Sequence, residues 1–489
     1  MSFPRRRESM DSRFHGDDKH LTMKYLNPIR FFYFHLLLLQ LEEYDLAHFI
    51  KAVTNTKGIP LRRDFRKPLK YTAKIKLIMA LSSLLILFVS FFVSKIFTNN
   101  PYKMIALILA YAIGLYFSYI FLIIINVLLL PVDTFTKELL IFLAKNKVKK
   151  FKNLKIIGVA GSYGKTGMKD LLATVLAEKY MVVETPESVN TPVGIARTIL
   201  SQVNEQTEIL IIEMGEYYPG DIKNICSIVI PHIGVITGIN EAHLERLKSI
   251  DNSVRTIFEI AQNMKPNGIL LLNAKDKLIK NHYKKFVAHQ EIYLYQAKGK
   301  VEFNEDAPGF IYQKIFFPLL GQYNLDKIDG VIYLAKKLGL TTQEIEAGLK
   351  KIKTPAHRLQ PILNRENNIL VIDDSYNGNP DGVEEAIKTL SLFKNRRKIF
   401  ITPGLVEMGI KSGEVHQRIG QRLNDVVDLV ILVKNSVTPD IEEGLTKSGF
   451  NKKNIYWYDS MMEAQNNLGT ILKSGDVVLF QNDWPDNYV

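Results

Sequence analysis

The sequence predicts a mixed α/β body preceded by an α-helical transmembrane hairpin. Three observations predict it. Two long uncharged runs, Leu77–Ser94 and Met104–Val132, lie close together in the N-terminal third. Beyond residue 150 short apolar runs rich in β-branched residues alternate with helical stretches, the pattern of a mostly parallel sheet. A glycine-bearing loop joins the first of those runs to a helix that opens with Lys-Thr.

The 489 residues suggest about three domains, and a hydrophobic fraction of 47% is ample for packed cores. One cysteine, Cys226, excludes a disulfide framework and a Cys-based zinc site. The net charge of +13 is unevenly placed. Residues 1–152 hold 24 Lys and Arg against 10 Asp and Glu, and the remainder holds 39 against 40. The basic excess therefore flanks apolar segments, which suits a membrane surface rather than nucleic acid.

Taken in order, residues 1–22 are polar and unpatterned, and we expect an extension or spurious segment with the functional start at Met23. Residues 23–152 form the membrane region. Phe31–Leu41 is too short to span and reads as an interfacial or packed helix. A bilayer core of roughly 30 Å needs about 20 apolar helical residues, and both uncharged runs meet that length. The short loop from Lys95 to Lys103 makes them a hairpin. Asn126, the strongly polar residue of the second run, either bonds across the hairpin or lies near a helix end. Arg62, Arg63, Arg66, Lys67, Lys70, Lys74 and Lys76 precede the first run; Lys137, Lys145, Lys147, Lys149 and Lys150 follow the second. The connecting loop offers only Lys95 and Lys103. The positive-inside bias then puts both ends, and everything after residue 150, in the cytoplasm: a multi-pass protein of the cytoplasmic membrane, in contact with lipid. No secretory cleavage pattern is present.

Leu154–Ala160 reads as a buried parallel strand. Gly161-Ser162-Tyr163-Gly164-Lys165-Thr166 follows, then the helical MKDLLATVLAEKY. Such a loop turns backbone N–H groups around anionic oxygens, and the helix N-terminus adds its dipole. Lys165 suits the β- and γ-phosphates and the Thr166 hydroxyl suits Mg²⁺. Val159 stands where the general phosphate-loop pattern has glycine. A plain strand–turn–helix would use the same glycines.

The flanks, GVAGSYGKT, resemble the shorter loop of the Mur ligase family. Four more segments carry the resemblance in family order: Asn190–Gly194, Leu210–Gly215, Ile236–Ser249 and Val371–Ile387. The last, with Ile401–Gly409 and His416, is similar to the branch that adds D-alanyl-D-alanine to a UDP-muramoyl tripeptide. Together the segments run over roughly residues 153–480.

The resemblance implies a P-loop central domain over residues 153–353, binding ATP on a mostly parallel sheet. A Rossmann-like C-terminal domain over 354–489 presents the amine. The reaction it implies is ATP-dependent ligation: a carboxylate becomes an acyl phosphate, an amine attacks, and phosphate leaves. It assigns Gly161, Ser162, Gly164, Lys165 and Thr166 to the phosphates, and Thr166, Glu213 and His243 to Mg²⁺, with Lys165, Glu213 and His243 catalytic. Asn273 resembles the residue that reads adenine; a strand-end turn would also use it. Arg358 and Asp373 resemble residues that reach ATP across the cleft. Asp374, Tyr376, Asn377 and Asn379 line the same seam, in a segment that forms a strand-to-helix turn in any case.

Three departures stand against this pattern. Family members carry a carbamylated, metal-binding lysine where Ile257 stands. Either Glu259 or water replaces it, or the second metal is held weakly, or activity is lost. Gln481-Asn482-Asp483 replaces a Lys-Gly-Ser common in the branch. The usual N-terminal domain that grips the UDP-sugar is replaced by the membrane region. The expected carboxylate is a muramoyl peptide, UDP- or lipid-linked, and the amine is D-Ala-D-Ala or similar. The alternatives are a membrane-bound polyamide synthetase of the poly-γ-glutamate kind and a non-catalytic nucleotide-binding scaffold.

Overall fold

The computed structural model describes residues 27–42, 44–60, 68–96, 100–240, 244–375, 378–406 and 408–482. The described chain divides after Lys137 into two compact units.

The first unit is helical. It holds α1 (Pro28–Leu41), α2 (Leu46–Asn55), α3 (Ala73–Ser94), α4 (Asn100–Tyr116) and the start of α5 (Ser118–Lys150). Asn27, Asp45 and Thr72 cap α1, α2 and α3 by accepting from Ile29 N, His48 N and Ile75 N. The apolar stretch from Phe31 is a packed helix, with Phe32, Phe34 and Leu36–Leu39 buried. The uncharged run Met104–Val132 differs from expectation, because a turn at Phe117 divides it into two helices. The division falls beside a polar contact. The Ser118 hydroxyl lies 2.8 Å from Nδ1 of buried His35, whose Nε2 meets Gly58 O at 3.0 Å. Asn126 donates to Tyr44 O at 3.0 Å.

At 22 and 33 residues, α3 and α5 are long and apolar enough to cross a membrane. In their most apolar windows only 28% and 17% of residues are buried, whereas a soluble core helix is mostly buried. Phe88, Phe92, Leu109 and Leu128 are among the exposed large side chains.

Among its described residues the second unit holds three sheets. The first is parallel, in the order β2 (Val182–Glu184), β3 (Ile209–Glu213), β1 (Lys155–Ala160), β4 (Ile233–Ile236), β5 (Ile269–Asn273), β6 (Glu291–Tyr295). Its strands read as continuous apolar runs because both faces are covered. On one face α6 (Lys165–Leu176), α12 (Tyr323–Lys337) and α13 (Thr342–Lys350) pack on Ile157, Val159, Ile211 and Val235. On the other, α7 (Pro192–Gln202), α8 (Asp221–Ile228), α10 (Ile250–Asn263) and α11 (Lys277–His282) pack on Ile156, Leu210, Ile212 and Ile236. The short α9 (Leu244–Leu247) precedes α10. Cys226 on α8 is buried; desolvation, with Glu259 nearby, pushes its thiol up to about 12.

The connection out of β1 runs toward the β2 edge through α6. Every later connection runs the other way through helices on the opposite face. That reversal leaves a crevice beyond the C-terminal ends of β1 and its neighbours, where α/β sheets bind ligands.

A small antiparallel sheet follows, β7 (Val301–Asn304), β8 (Gly309–Tyr312) and β9 (Ile315–Phe317). The third sheet has the order β10 (Gln360–Asn364), β11 (Ile369–Asp374), β15 (Val477–Gln481), β12 (Lys398–Thr402), β13 (Leu429–Val433), β14 (Ile455–Tyr458). It is parallel except for β10. Helices α14 (Pro380–Leu390), α15 (Ser412–Asn424) and α16 (Thr438–Lys447) cover one face, and α17 (Met461–Ile471) the other.

Candidate functional site

The loop after β1 is shaped by the absence of side chains. Gly161 has φ 138°, and a Cβ there would stand 2.3 Å from Thr237 Oγ1. Gly164, at φ 77°, leads into α6. Gly238 approaches the Tyr163 ring so closely that a Cβ would meet it at 2.1 Å. Ser162 N donates to Gly238 O at 2.8 Å, tying the β1 loop to the end of β4. The Ser162 hydroxyl is buried and has no partner among the described residues. The turn therefore offers a buried hydroxyl and the N-terminus of a twelve-residue helix to an anion. That donor set fits a nucleotide's phosphates.

Lys165 Nζ contacts Gly161 O and both oxygens of Glu216, at 3.0 and 2.9 Å. The Glu216 side chain is almost fully buried. The Thr166 hydroxyl donates to Glu213 Oε2 at 2.8 Å, and Asn190 Nδ2 donates to Glu213 Oε1 at 3.3 Å. Thr185 Oγ1 accepts from Glu213 N. Thr166 and Glu213 thus stand together with oxygens suited to a hard divalent cation. Residue His243 lies outside the described residues. Among the described residues, no group of three or more His, Cys, Asp and Glu converges on one point.

Asn273, at the end of β5, donates to Thr237 O at 2.9 Å and accepts from Lys275 N, so its amide is engaged in joining two strand ends. Asp276 accepts from the Tyr163 hydroxyl (3.1 Å) and from Ile239 N (2.8 Å). Burial and that carboxylate hold the Tyr163 phenol far above its ordinary range.

The third sheet brings its own groups to this edge. Asn240, just beyond β4, donates to Asn379 Oδ1 at 3.2 Å and to Asp381 Oδ2 at 2.8 Å. Asn379 also caps α14 through Gly382 N. Asp373 meets His357 Nδ1 at 2.7 Å and accepts from the Ser375 hydroxyl. Asp374 accepts from Leu359 N at 3.1 Å. Burial pushes the Asp374 carboxyl up to about 7, against the pull of that bond and of Arg358. His357 and Leu359, either side of Arg358, both have positive φ, 59° and 46°. Leu359 is bulky and buried, so this is a strained seam. Residues Tyr376 and Asn377 lie outside the described residues.

Ile257 is fully buried in the core of the first sheet. Both oxygens of Glu259 are taken by Gly220 N and Lys223 N at the start of α8. Asn482 has φ 61°, a conformation glycine adopts freely and asparagine tolerates, and it bonds Gly378 N and Gly404 O. Asp483 lies outside the described residues. His416 Nε2 accepts from Leu405 N and Nδ1 meets Ser412 O, which fixes a neutral tautomer supporting the loop after β12.

Two groups escape the linear reading. Glu216 stands beyond β3, outside any strand pattern. Lys327 lies on the buried stripe of α12 between Asn324 and Val331. A charge at helical spacing on an apolar face was the available signal.

A glycine loop at a sheet switch point, with Lys-Thr and a strand-end glutamate, defines a nucleotide-binding α/β body joined to a second parallel sheet. The model of the Mur ligase middle domain matches residues 159–326, and that of the Mur ligase glutamate ligase domain matches 357–481. Together they cover more than half of the chain, which belongs to the Mur ligase family. Members of this family are ATP-dependent amide-bond ligases. The UDP-N-acetylmuramoyl-tripeptide–D-alanyl-D-alanine ligase of Bacillus subtilis is 27% identical over 335 residues, 67% of this chain and 72% of that one. Its counterpart in Escherichia coli is 24% identical over 337 residues, 66% and 74%. The MurF ligase of Thermotoga maritima, solved in complex with ADP, is 26% identical, with a TM-score of 0.61 over 71% of this chain and 80% of that one. MurF from Acinetobacter baumannii, 23% identical with a TM-score of 0.63 over 71% and 78%, shares the fold.

Proposed function

We propose that this protein uses ATP to join the carboxylate of a muramoyl tripeptide to the amine of D-alanyl-D-alanine, and that it does so at the membrane. The observation that carries the ligase reading is the Lys165–Thr166–Glu213 constellation at the switch point. Relatives of that named activity match over two thirds of the chain.

In this reading the carboxylate is phosphorylated and the amine then displaces phosphate. The protein contributes charge neutralisation and alignment, the usual currency of phosphoryl transfer. Lys165 and the α6 N-terminus receive the phosphates, together with the Ser162 hydroxyl. Thr166 and Glu213 hold Mg²⁺, with His243 as the further ligand; the ion screens phosphate charge when bound. Asn273 lies at the adenine end. Arg358 and Asp373 reach the nucleotide from the third sheet's side, while Asp374, Tyr376, Asn377 and Asn379 face the amine. The exposed apolar surfaces of α3 and α5, with the shorter apolar α4 between them, support a membrane-spanning helical region, and the flanking lysines support a cytoplasmic catalytic body. A lipid-linked muramoyl peptide then becomes the natural alternative to the UDP-linked one.

The test is phosphate release by detergent-purified protein with ATP and Mg²⁺. UDP-muramoyl-tripeptide is supplied with and without D-Ala-D-Ala, and Lys165→Ala is run beside it. Release that needs both substrates and Lys165 is expected. ATP binding without turnover on UDP- or lipid-linked substrate would replace the ligase by a nucleotide-binding scaffold, the reading that Ile257 favours.

A further inference from the structure

Lys327 is 6% exposed, yet its surroundings are poor for a cation. Its ammonium makes one hydrogen bond, to Asn324 Oδ1 at 3.2 Å, and stands 4.4 Å over the ring of Tyr323. Among the described residues no carboxylate lies within ion-pair distance of it. The nearby acids are committed elsewhere: Asp170 to Lys169 at 3.0 Å, and Asp326 to Lys275 at 3.0 Å and to Ala297 N. Burial and the Arg358 charge push the ammonium down to about 7, with Asp170 and Asp326 pulling the other way.

Its position explains why a cation is kept there. Nζ would be 3.0 Å from a Cβ on Gly167 and 3.4 Å from one on Gly164. Gly167 therefore leaves the space into which the ammonium reaches, at the first turn of α6. That turn is the positive end of a helix dipole, and Lys165 is already in it. Helix end, Arg358 and desolvation all oppose the charge on Lys327, and each becomes favourable once an anion arrives. A groove lined by Gly167, Asp170, Thr174, Asn324, Lys353 and Pro355 opens beside it.

We propose that Lys327 is a nucleotide-contacting residue, a second ammonium brought by α12 to the phosphate loop that binds the phosphates from the α6 side. This rests on the ATP-dependent reading of the site. The ligand is anionic by its phosphates, so the contact distinguishes a nucleotide from its nucleoside.

The experiment measures binding of fluorescent ADP and of adenosine to full-length, detergent-purified protein. It also records the melting temperature without nucleotide, for wild type, Lys327→Met and Lys327→Gln. ADP binding by the wild type is the control for the ligase reading; its absence would overturn that reading and this one together. With ADP bound by the wild type, both variants are expected to lose about tenfold or more in ADP affinity, the size of one charge-assisted contact. Adenosine affinity should change by less than about twofold. The unliganded Lys327→Met protein should melt at the same temperature or higher, because an opposed buried charge is gone. Unchanged ADP affinity with a lowered melting temperature would make Lys327 structural and overturn the proposal. Equal losses for ADP and adenosine would overturn it too, because the contact would then not be to phosphate.

Discussion

At the scale of single residues, the pair Lys165–Glu216 sets the resting state of the loop. The loop's lysine is held by a buried carboxylate that an incoming phosphate must displace. Glu216→Gln leaves Lys165 uncompensated, which costs the empty protein and favours the filled one. We expect ADP to bind about tenfold more tightly and the unliganded melting temperature to fall. Weaker binding would show instead that the carboxylate serves the nucleotide. Asp374 gives a pH signature. Its folded carboxyl titrates near 7 and its unfolded one near 3.8, so the folded state holds the extra proton between those values. Wild-type stability therefore falls as pH rises from about 4 to about 7. Asp374→Asn, which can still accept from Leu359 N, should gain on wild type through that window, by on the order of a few kcal/mol, and run parallel above it. Denaturant melts from pH 4 to 9 check the sign. The loop itself was legible because Gly161 to Thr166 are contiguous, and so was Glu213, at the end of an unbroken apolar run. Lys327 was not, because it stands more than 150 residues further along the chain and only helix packing brings it back.

Among elements, α10 is the informative one. Its buried face carries Val254, Ile257, Phe258 and Ala261 against the first sheet. A lysine at 257 would enter an apolar core, and Glu259, two residues on, already accepts from the backbone at the start of α8. Ile257→Lys should cost about 3 kcal/mol or more, read as a lower denaturant midpoint, and bring no gain in activity with added bicarbonate. The start of α14 is the second case. Asn379 caps the helix and receives Asn240 from across the seam, so Asn379→Ala should cost about 1–2 kcal/mol in the same melts. The strands of both large sheets follow from their apolar runs, since parallel strands are buried on both faces. The division of the second apolar run at Phe117 was hidden. Hydropathy records that a stretch is uncharged, and a turn secured by Ser118 and His35 leaves that count unchanged.

For the whole molecule, the helical unit and the α/β unit each have their own cores. A chain beginning at Glu138 should fold without detergent and bind ADP with the affinity of the full-length protein, as gel filtration and fluorescence titration would show. Failure to fold would mean that the helical unit is needed by the catalytic one. Cys226 has a practical consequence at this scale. With one sulfhydryl in the chain, sealed in a core and kept protonated, alkylating dyes and spin labels find no target in the native state. Any cysteine introduced at a solvent-facing position, Met462 for example, becomes a unique chemical handle without first stripping others from the sequence. A pair of such handles, one on each large sheet, turns the distance across the seam into an optical or paramagnetic signal during turnover.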